Sequence, residues 1–283
     1  QVQLELSDGA KSTRAALSWL ESTAHPSVDN LADWLLVSAL QQGGNTPAEV
    51  LAEASEAGIT VRIAKAAGVG QVVLLSAICV QRPLLAFQKA KLAFESELAA
   101  SGLTYSIVRA TAFFKSLSGQ VARVQAGKPF LIFGDGTLTA CKPISDADLG
   151  TYLAHCLDDP TRHNRILPIG GPGPALTAKE QGAALFTLLN QTPKFRSVPV
   201  GFLDGIIAVL SVLGKLSPKL RDKAELARIG RYYATESMLV LNPVTGKYDA
   251  NATPSSGKDR LVDHYARLLR GEAKVDLGEH AVF

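Results

Sequence analysis

Short, continuous runs of apolar residues alternate with segments of helical pattern along the first half of the chain. The runs lie at residues 33–38, 71–76 and 105–109. Runs of this kind are typical of parallel strands that are buried on both faces of a sheet. Residues 46–67 and 83–101, which separate the runs, are long enough for crossover helices. The alternation predicts an α/β fold with a doubly wound parallel sheet.

The pattern is more mixed after residue 109. A Gly134-Asp135-Gly136 turn separates two predicted strands, and prolines break the loop at residues 170–174. Thr177 and Glu180 have the spacing of a capping box ahead of an apolar helix at 177–190. We therefore expect residues 1–145 to form a nucleotide-binding domain. Residues 146–283 then contribute the last sheet elements and a smaller substrate lobe.

The most apolar window covers residues 201–214. It is interrupted by Asp204 and is shorter than the roughly 20 residues needed to cross a bilayer. The window predicts a buried helix, with a helix lying on a membrane surface as the alternative.

Composition and charge narrow the function classes. The 283 residues carry 29 basic and 26 acidic side chains, without a long block of one sign, so nothing indicates nucleic acid as a partner. Cys79, Cys141 and Cys156 form no CxxC pair, and their odd number argues against a disulfide framework and for a reducing compartment. The five histidines lack the spacing of a metal site, so we expect no metal.

A Rossmann-like dinucleotide site needs a glycine-rich turn between its first strand and helix. No such motif is present: Gly68-Val69-Gly70 precedes a strand, and Pro172 and Pro174 remove two donors from the loop at 170–174. That loop is predicted to be a turn. Two explanations stay open, either a chain that starts after its first βαβ unit or a loss of cofactor binding. We favour the first, and thus an N-terminally incomplete sheet.

A serine and a lysine stand where reductases of the short-chain class place catalytic residues. Ser76 ends the strand at 71–76, and the following helix carries Phe87 and Lys91. The i to i+4 spacing puts Phe87 and Lys91 on one helical face. Such reductases usually have Tyr-x-x-x-Lys, so Phe87 occupies the position of the proton-donating tyrosine.

Residues 74–91 resemble the divinyl reductases of chlorophyll synthesis, which are atypical, NmrA-like members of the short-chain dehydrogenase/reductase lineage. The similarity covers roughly residues 33–283. Further segments resemble that family in the same order: 105–109, 111–117, 133–136, 140–145, 167–173, 229–238 and 277–283.

The resemblance implies hydride transfer from NADPH to the 8-vinyl group of divinyl chlorophyllide or protochlorophyllide. Reduction of a conjugated C=C bond creates no alkoxide, so a phenol is not required at position 87. The implied catalytic residues are Lys91 and Ser76. The implied cofactor contacts are Ser38, Ala39, Ser76, Lys91, Ala110, Thr111 and Phe113. The implied substrate contacts are Phe87, Phe114, Arg231 and Tyr232.

Ala110 departs from the pattern, because the relatives commonly have proline there. The resemblance further implies a chloroplast location, in the stroma or at the thylakoid surface, or the cytoplasm of a phototrophic bacterium. Association with a membrane or a photosynthetic complex is a further expectation. Two alternatives stay open. One is a catalytically inactive subunit that binds pigment or assists assembly of a photosynthetic complex, and the other is an atypical reductase of flavonoids or quinones.

Overall fold

The computed structural model describes residues 61, 64, 65, 68–215 and 217–273. The predicted strand at 33–38, the cofactor contacts Ser38 and Ala39, and the closing segment 277–283 lie outside the described residues.

The described chain contains the following strands and helices. The strands are β1 Gln71–Ala77, β2 Thr104–Ala110, β3 Phe130–Phe133, β4 Ala140–Cys141, β5 Arg165–Ile169, β6 Leu176–Thr177, β7 Phe195–Val198, β8 Val240–Leu241 and β9 Tyr248–Asp249. The helices are α1 Ala86–Ala100, α2 Phe114–Leu117, α3 Val121–Gln125, α4 Asp146–Asp158, α5 Ala178–Leu188, α6 Val200–Leu213, α7 Pro218–Thr235 and α8 Leu261–Leu269. Short 3₁₀ turns lie at Ile78–Gln81 and Pro160–Arg162.

The largest sheet among the described residues is parallel and three-stranded, in the order β1-β2-β5. Alternate residues of its strands point to opposite faces. Leu74 and Ile107 pack with Phe94 of α1, whereas Val73 and Val108 pack on the other face with residues of α4. The prediction of a parallel sheet with helices on both faces is therefore confirmed, and the buried runs at 71–76 and 105–109 form β1 and β2.

Three smaller two-stranded pairs lie among the described residues after β2. β3 runs parallel to β7, while β4–β6 and β8–β9 are antiparallel. The predicted turn at Gly134-Asp135-Gly136 does separate two strands, β3 and β4, although each pairs with a different partner. The capping box at the start of α5 is also confirmed, because the Thr177 hydroxyl accepts from the Glu180 N–H and the Glu180 carboxylate accepts from the Thr177 N–H.

The prediction of a buried helix at 201–214 is wrong. The helix forms as α6, but Leu203 is its one buried residue, and Phe202, Val209 and Val212 are 61%, 59% and 65% exposed. α6 packs on one side against α7, and among the described residues no element covers its other side. No helix within the described part of the chain has the length and apolarity to span a membrane.

The loop after β5 begins with a bridge between Gly170 and Ser255 and bends at Pro172 and Gly173. The Gly170 N–H donates to the Pro254 carbonyl (2.9 Å), and the Gly171 N–H donates to the Lys142 carbonyl (3.3 Å). A Cβ atom built on Gly171 would lie 1.9 Å from the carbonyl oxygen of Pro143. Only glycine allows this close backbone approach.

We predict that Gly171→Ala lowers the free energy of unfolding by about 1–3 kcal/mol, because the added methyl group must displace the backbone at Pro143. Gly150→Ala is the matched control. Gly150 lies in α4 with nothing within 4 Å of its Cβ position, so this change should stabilise by up to about 1 kcal/mol. Urea unfolding of both variants measures the difference, and equal stabilities would contradict the close approach.

Candidate functional site

The carboxyl ends of three parallel strands form one edge of the sheet. β1, β2 and β5 end at Ala77, Ala110 and Ile169, and the first two residues are register partners, as are the last two. Ligands of open α/β sheets bind at this edge. The predicted site residues Ser76 and Thr111 lie beside it, so the sheet brings them together from different strands.

A buried carboxylate organises the residues next to the edge. The Ser76 hydroxyl donates to Glu95 of α1 (2.5 Å). Arg109, the register partner of Ser76 on β2, donates to Glu95 through Nε (3.1 Å) and Nη2 (2.5 Å). The Glu95 side chain is 4% exposed and that of Arg109 is 17% exposed. Three donors compensate the cost of burying this charge.

Glu95 was missed in the sequence. Its signal is the i to i+4 spacing from Lys91 on a helix face that also carries the buried Phe94 and Leu98. An acidic residue in such a position needs a partner, because unpaired carboxylates are rarely buried.

Lys91 lies one helical turn before Glu95 and faces the same crevice as Ser76. The crevice is narrow and is lined by Ser76, Lys91, Leu74, Leu75 and Phe94. The predicted proximity of serine and lysine is therefore present. The catalytic roles of both residues stay predictions.

Phe87 lies one turn before Lys91 and is half-buried. It packs against a cluster that includes Ile78, Cys79 and Tyr232. This apolar surface adjoins the end of β1. The Phe87 ring thus lies where the short-chain pattern has the phenol of a tyrosine.

Cys79 belongs to this cluster, and its thiol is buried. Burial raises its pKa, and the opposing influences of Gln88, the positive charge of Lys91 and the Tyr233 side chain are smaller. The thiol is therefore protonated at neutral pH. The interaction with Lys91 places the lysine charge near the turn that follows β1.

Thr111 and Phe113 follow β2 directly. The Thr111 N–H donates to the Ile169 carbonyl (3.0 Å), and its hydroxyl donates to the Lys142 carbonyl. Phe113 is half-buried and forms a bridge with Ile144. Phe114, a predicted substrate contact, is buried in a hydrophobic cluster with Val124 and Leu185, with its ring centroid 5.4 Å from that of His264. The ligand contacts predicted for these residues stay predictions.

Arg231 and Tyr232 of α7 both have protein partners. Arg231 forms an ion pair with Asp204 of α6. The buried Tyr232 hydroxyl lies 2.9 Å from the Cys79 carbonyl and 3.2 Å from the Arg82 carbonyl, so it can donate to either. These contacts attach α7 to its neighbours. A role of either residue in substrate binding stays a prediction. Within residues 61–273, as far as described, no group of three or more metal-ligating side chains is present.

We predict that Glu95→Gln lowers the free energy of unfolding by about 3 kcal/mol, because it leaves the Arg109 charge without its buried partner. Glu97→Gln, on the exposed side of the same helix, should change stability by less than about 0.5 kcal/mol. Urea unfolding distinguishes the two. The double variant Glu95→Gln/Arg109→Leu should lose less than the sum of its single changes, and strict additivity would contradict the coupling.

A family model described as NAD(P)H-binding matches residues 26–160. The chain is 54% identical over 230 residues to the protein of Zea mays named divinyl chlorophyllide a 8-vinyl-reductase, chloroplastic. The match covers 79% of this chain and 57% of the maize protein. It is 56% identical over 222 residues to the cucumber (Cucumis sativus) protein of the same name, 76% of this chain and 53% of the relative. The chain thus spans about half the length of these curated relatives.

A shorter match of another kind also exists. The chain is 41% identical over 68 residues to the isoleucine–tRNA ligase of Prochlorococcus marinus, which is 24% of this chain and 7% of the ligase. Because the match covers so small a part of the ligase, it indicates nothing about the activity of this chain.

Among solved structures, an NADPH-dependent quinone oxidoreductase of Escherichia coli in complex with NADPH is similar with a TM-score of 0.54. It is 15% identical, and the match covers 81% of this chain and 82% of that chain. At this identity the likeness shows a shared Rossmann-like fold. By its sequence, the chain is similar to the divinyl chlorophyllide a 8-vinyl-reductases over about half of their length.

Proposed function

We propose that the protein containing this chain reduces the 8-vinyl group of divinyl chlorophyllide or protochlorophyllide to an ethyl group, with NADPH as the reductant. The observation that carries this proposal is the 54–56% identity to four chloroplastic reductases of that name. The proximity of Ser76 and Lys91 at the carboxyl edge of the sheet is consistent with it.

The donors at this edge fit the nicotinamide half of the cofactor. Lys91 would offer a cation to the ribose and Ser76 its hydroxyl oxygen as an acceptor, because the Ser76 proton is donated to Glu95. The backbone at Ala110 and Thr111 would position the carboxamide. The turn at Gly170 and Gly171 does not fit the pyrophosphate, because carbonyl groups already accept from both N–H groups. A phosphate site would therefore belong to another part of the protein.

Reduction of the vinyl group requires one hydride and one proton. NADPH supplies the hydride when it is bound. Lys91 would hold the ribose by charge-assisted hydrogen bonds, while Glu95 and Arg109 fix the strand end that carries Ser76. Phe87 would offer an apolar surface to the flat macrocycle and delivers no proton. The proton would come from water or another side chain.

The alternative function is a catalytically inactive subunit that binds pigment. The engagement of the Ser76 hydroxyl by Glu95 favours this alternative, because a serine that serves the reaction needs a free hydroxyl. NADPH-dependent formation of monovinyl pigment by the purified protein, expressed from its complete gene, separates the two functions. Its absence would overturn the proposed reductase.

The relatives are named chloroplastic, and we propose the chloroplast as the location of this protein, in the stroma or at the thylakoid surface. A hydrophobic pigment substrate is consistent with peripheral association at a membrane or a photosynthetic complex.

We predict that Lys91→Ala lowers turnover at limiting NADPH by at least about tenfold, which corresponds to about 1.4 kcal/mol of lost binding. Lys89→Ala is the matched control, because Lys89 lies on the exposed side of the same helix and should have no effect. The assay follows conversion of divinyl to monovinyl pigment at several NADPH concentrations. Unchanged turnover of the Lys91→Ala variant at limiting NADPH would show that Lys91 does not bind the cofactor.

We further predict that Phe87→Tyr gives little or no gain in the same assay. The reduced vinyl group carries no oxyanion that a phenol could protonate. A large gain would show that proton delivery at this position limits the reaction.

A further inference from the structure

The outward face of α6 is continuous and uncharged. The helix period places a group of exposed residues without polar side chains on one side, and the exposed Asp204 lies at its border. The group consists of Gly201, Phe202, Gly205, Ala208, Val209, Val212 and Leu213. Exposed apolar residues are ordinary when they are scattered, but a contiguous apolar face marks a site of interaction.

Polar contacts beside this face attach α6 to α7. Arg231 of α7 pairs with Asp204 of α6, and Arg228 of α7 donates to the Ser211 hydroxyl (2.7 Å). Leu203 of α6 is buried. The two helices therefore form a hairpin, in which Asp204, the one charged residue of α6, pairs with α7.

Basic residues surround the connected end of the hairpin. Lys215, Lys219, Arg221 and Lys223 are all exposed. Asp222, which lies among them, is half-buried. This end of the hairpin is therefore positively charged, and it adjoins Val212 and Leu213 at the end of α6.

We infer that the α6–α7 hairpin docks on an anionic lipid surface. The aliphatic and aromatic side chains of α6 would enter the boundary of headgroups and acyl chains, and the lysine and arginine side chains would contact lipid phosphates. An apolar helix face beside a basic cluster is the pattern that binds membrane interfaces. The charge of the hairpin favours an anionic lipid surface over a second, equally basic copy of this chain.

The inference deepens the proposed peripheral association and does not depend on the reductase activity. Its test uses vesicles of phosphatidylcholine alone or with an equal part of phosphatidylglycerol. We expect the protein to sediment with the anionic vesicles, and to be released from them progressively by salt.

Two double variants examine the two components of the surface. Val209→Asp/Val212→Asp and Lys219→Glu/Lys223→Glu should each weaken vesicle binding by at least about tenfold. Val244→Asp is the matched control, because Val244 is 91% exposed in the turn between β8 and β9, and it should bind as the wild type does. All changed side chains are exposed, and circular dichroism verifies the fold.

Vinyl reduction measured on detergent-solubilised pigment should be unchanged in these variants, so failure of the membrane inference and failure of the reductase proposal are distinguishable. Absence of vesicle binding by the wild type would overturn the inference. Equal binding of the wild type to neutral vesicles, or unchanged binding by both double variants, would also overturn it. So would a stable dimer in light scattering that Val209→Asp/Val212→Asp dissociates.

Discussion

The buried Glu95 carboxylate is the interaction on which the described site depends. It accepts hydrogen bonds from Ser76 on β1 and Arg109 on β2, so one charge joins α1 to two neighbouring strands. A buried carboxylate without these partners would cost several kcal/mol. The bonds also fix the rotation of α1, and this rotation turns Lys91, one turn earlier, toward Ser76 at the edge of the sheet.

Similar long-range polar contacts attach the second half of the chain to the sheet. Glu236, at the end of α7, accepts from Arg82 (3.0 Å) and from the Tyr248 hydroxyl (2.7 Å). Asp148 of α4 accepts from the N–H groups of Lys258 and Asp259 (3.0 and 2.8 Å). Elements from the second half of the chain thus lie beside the sheet, and their role as a substrate lobe stays a prediction. The predicted boundary at residue 145 stays a prediction.

Features with a local pattern could be predicted from the sequence. The buried strands, α1, the capping box of α5 and the spacing from Ser76 to Lys91 each depend on neighbouring residues. Contacts between distant residues could not be predicted, because Tyr232 and the Cys79 carbonyl are 153 positions apart and no local pattern links them. The exposure of α6 was missed for a related reason. Apolar composition indicates a helix that would gain from burial, whereas actual burial depends on which elements pack against it.

Transfer of hydride from cofactor to pigment tests the central proposal most directly. The protein is supplied with NADPH deuterated at the transferred position, and the mass of the monovinyl product is measured. The account predicts one deuterium in the new ethyl group for each vinyl group reduced, with the second hydrogen taken from solvent. Monovinyl product without deuterium, or no product at all, would contradict it.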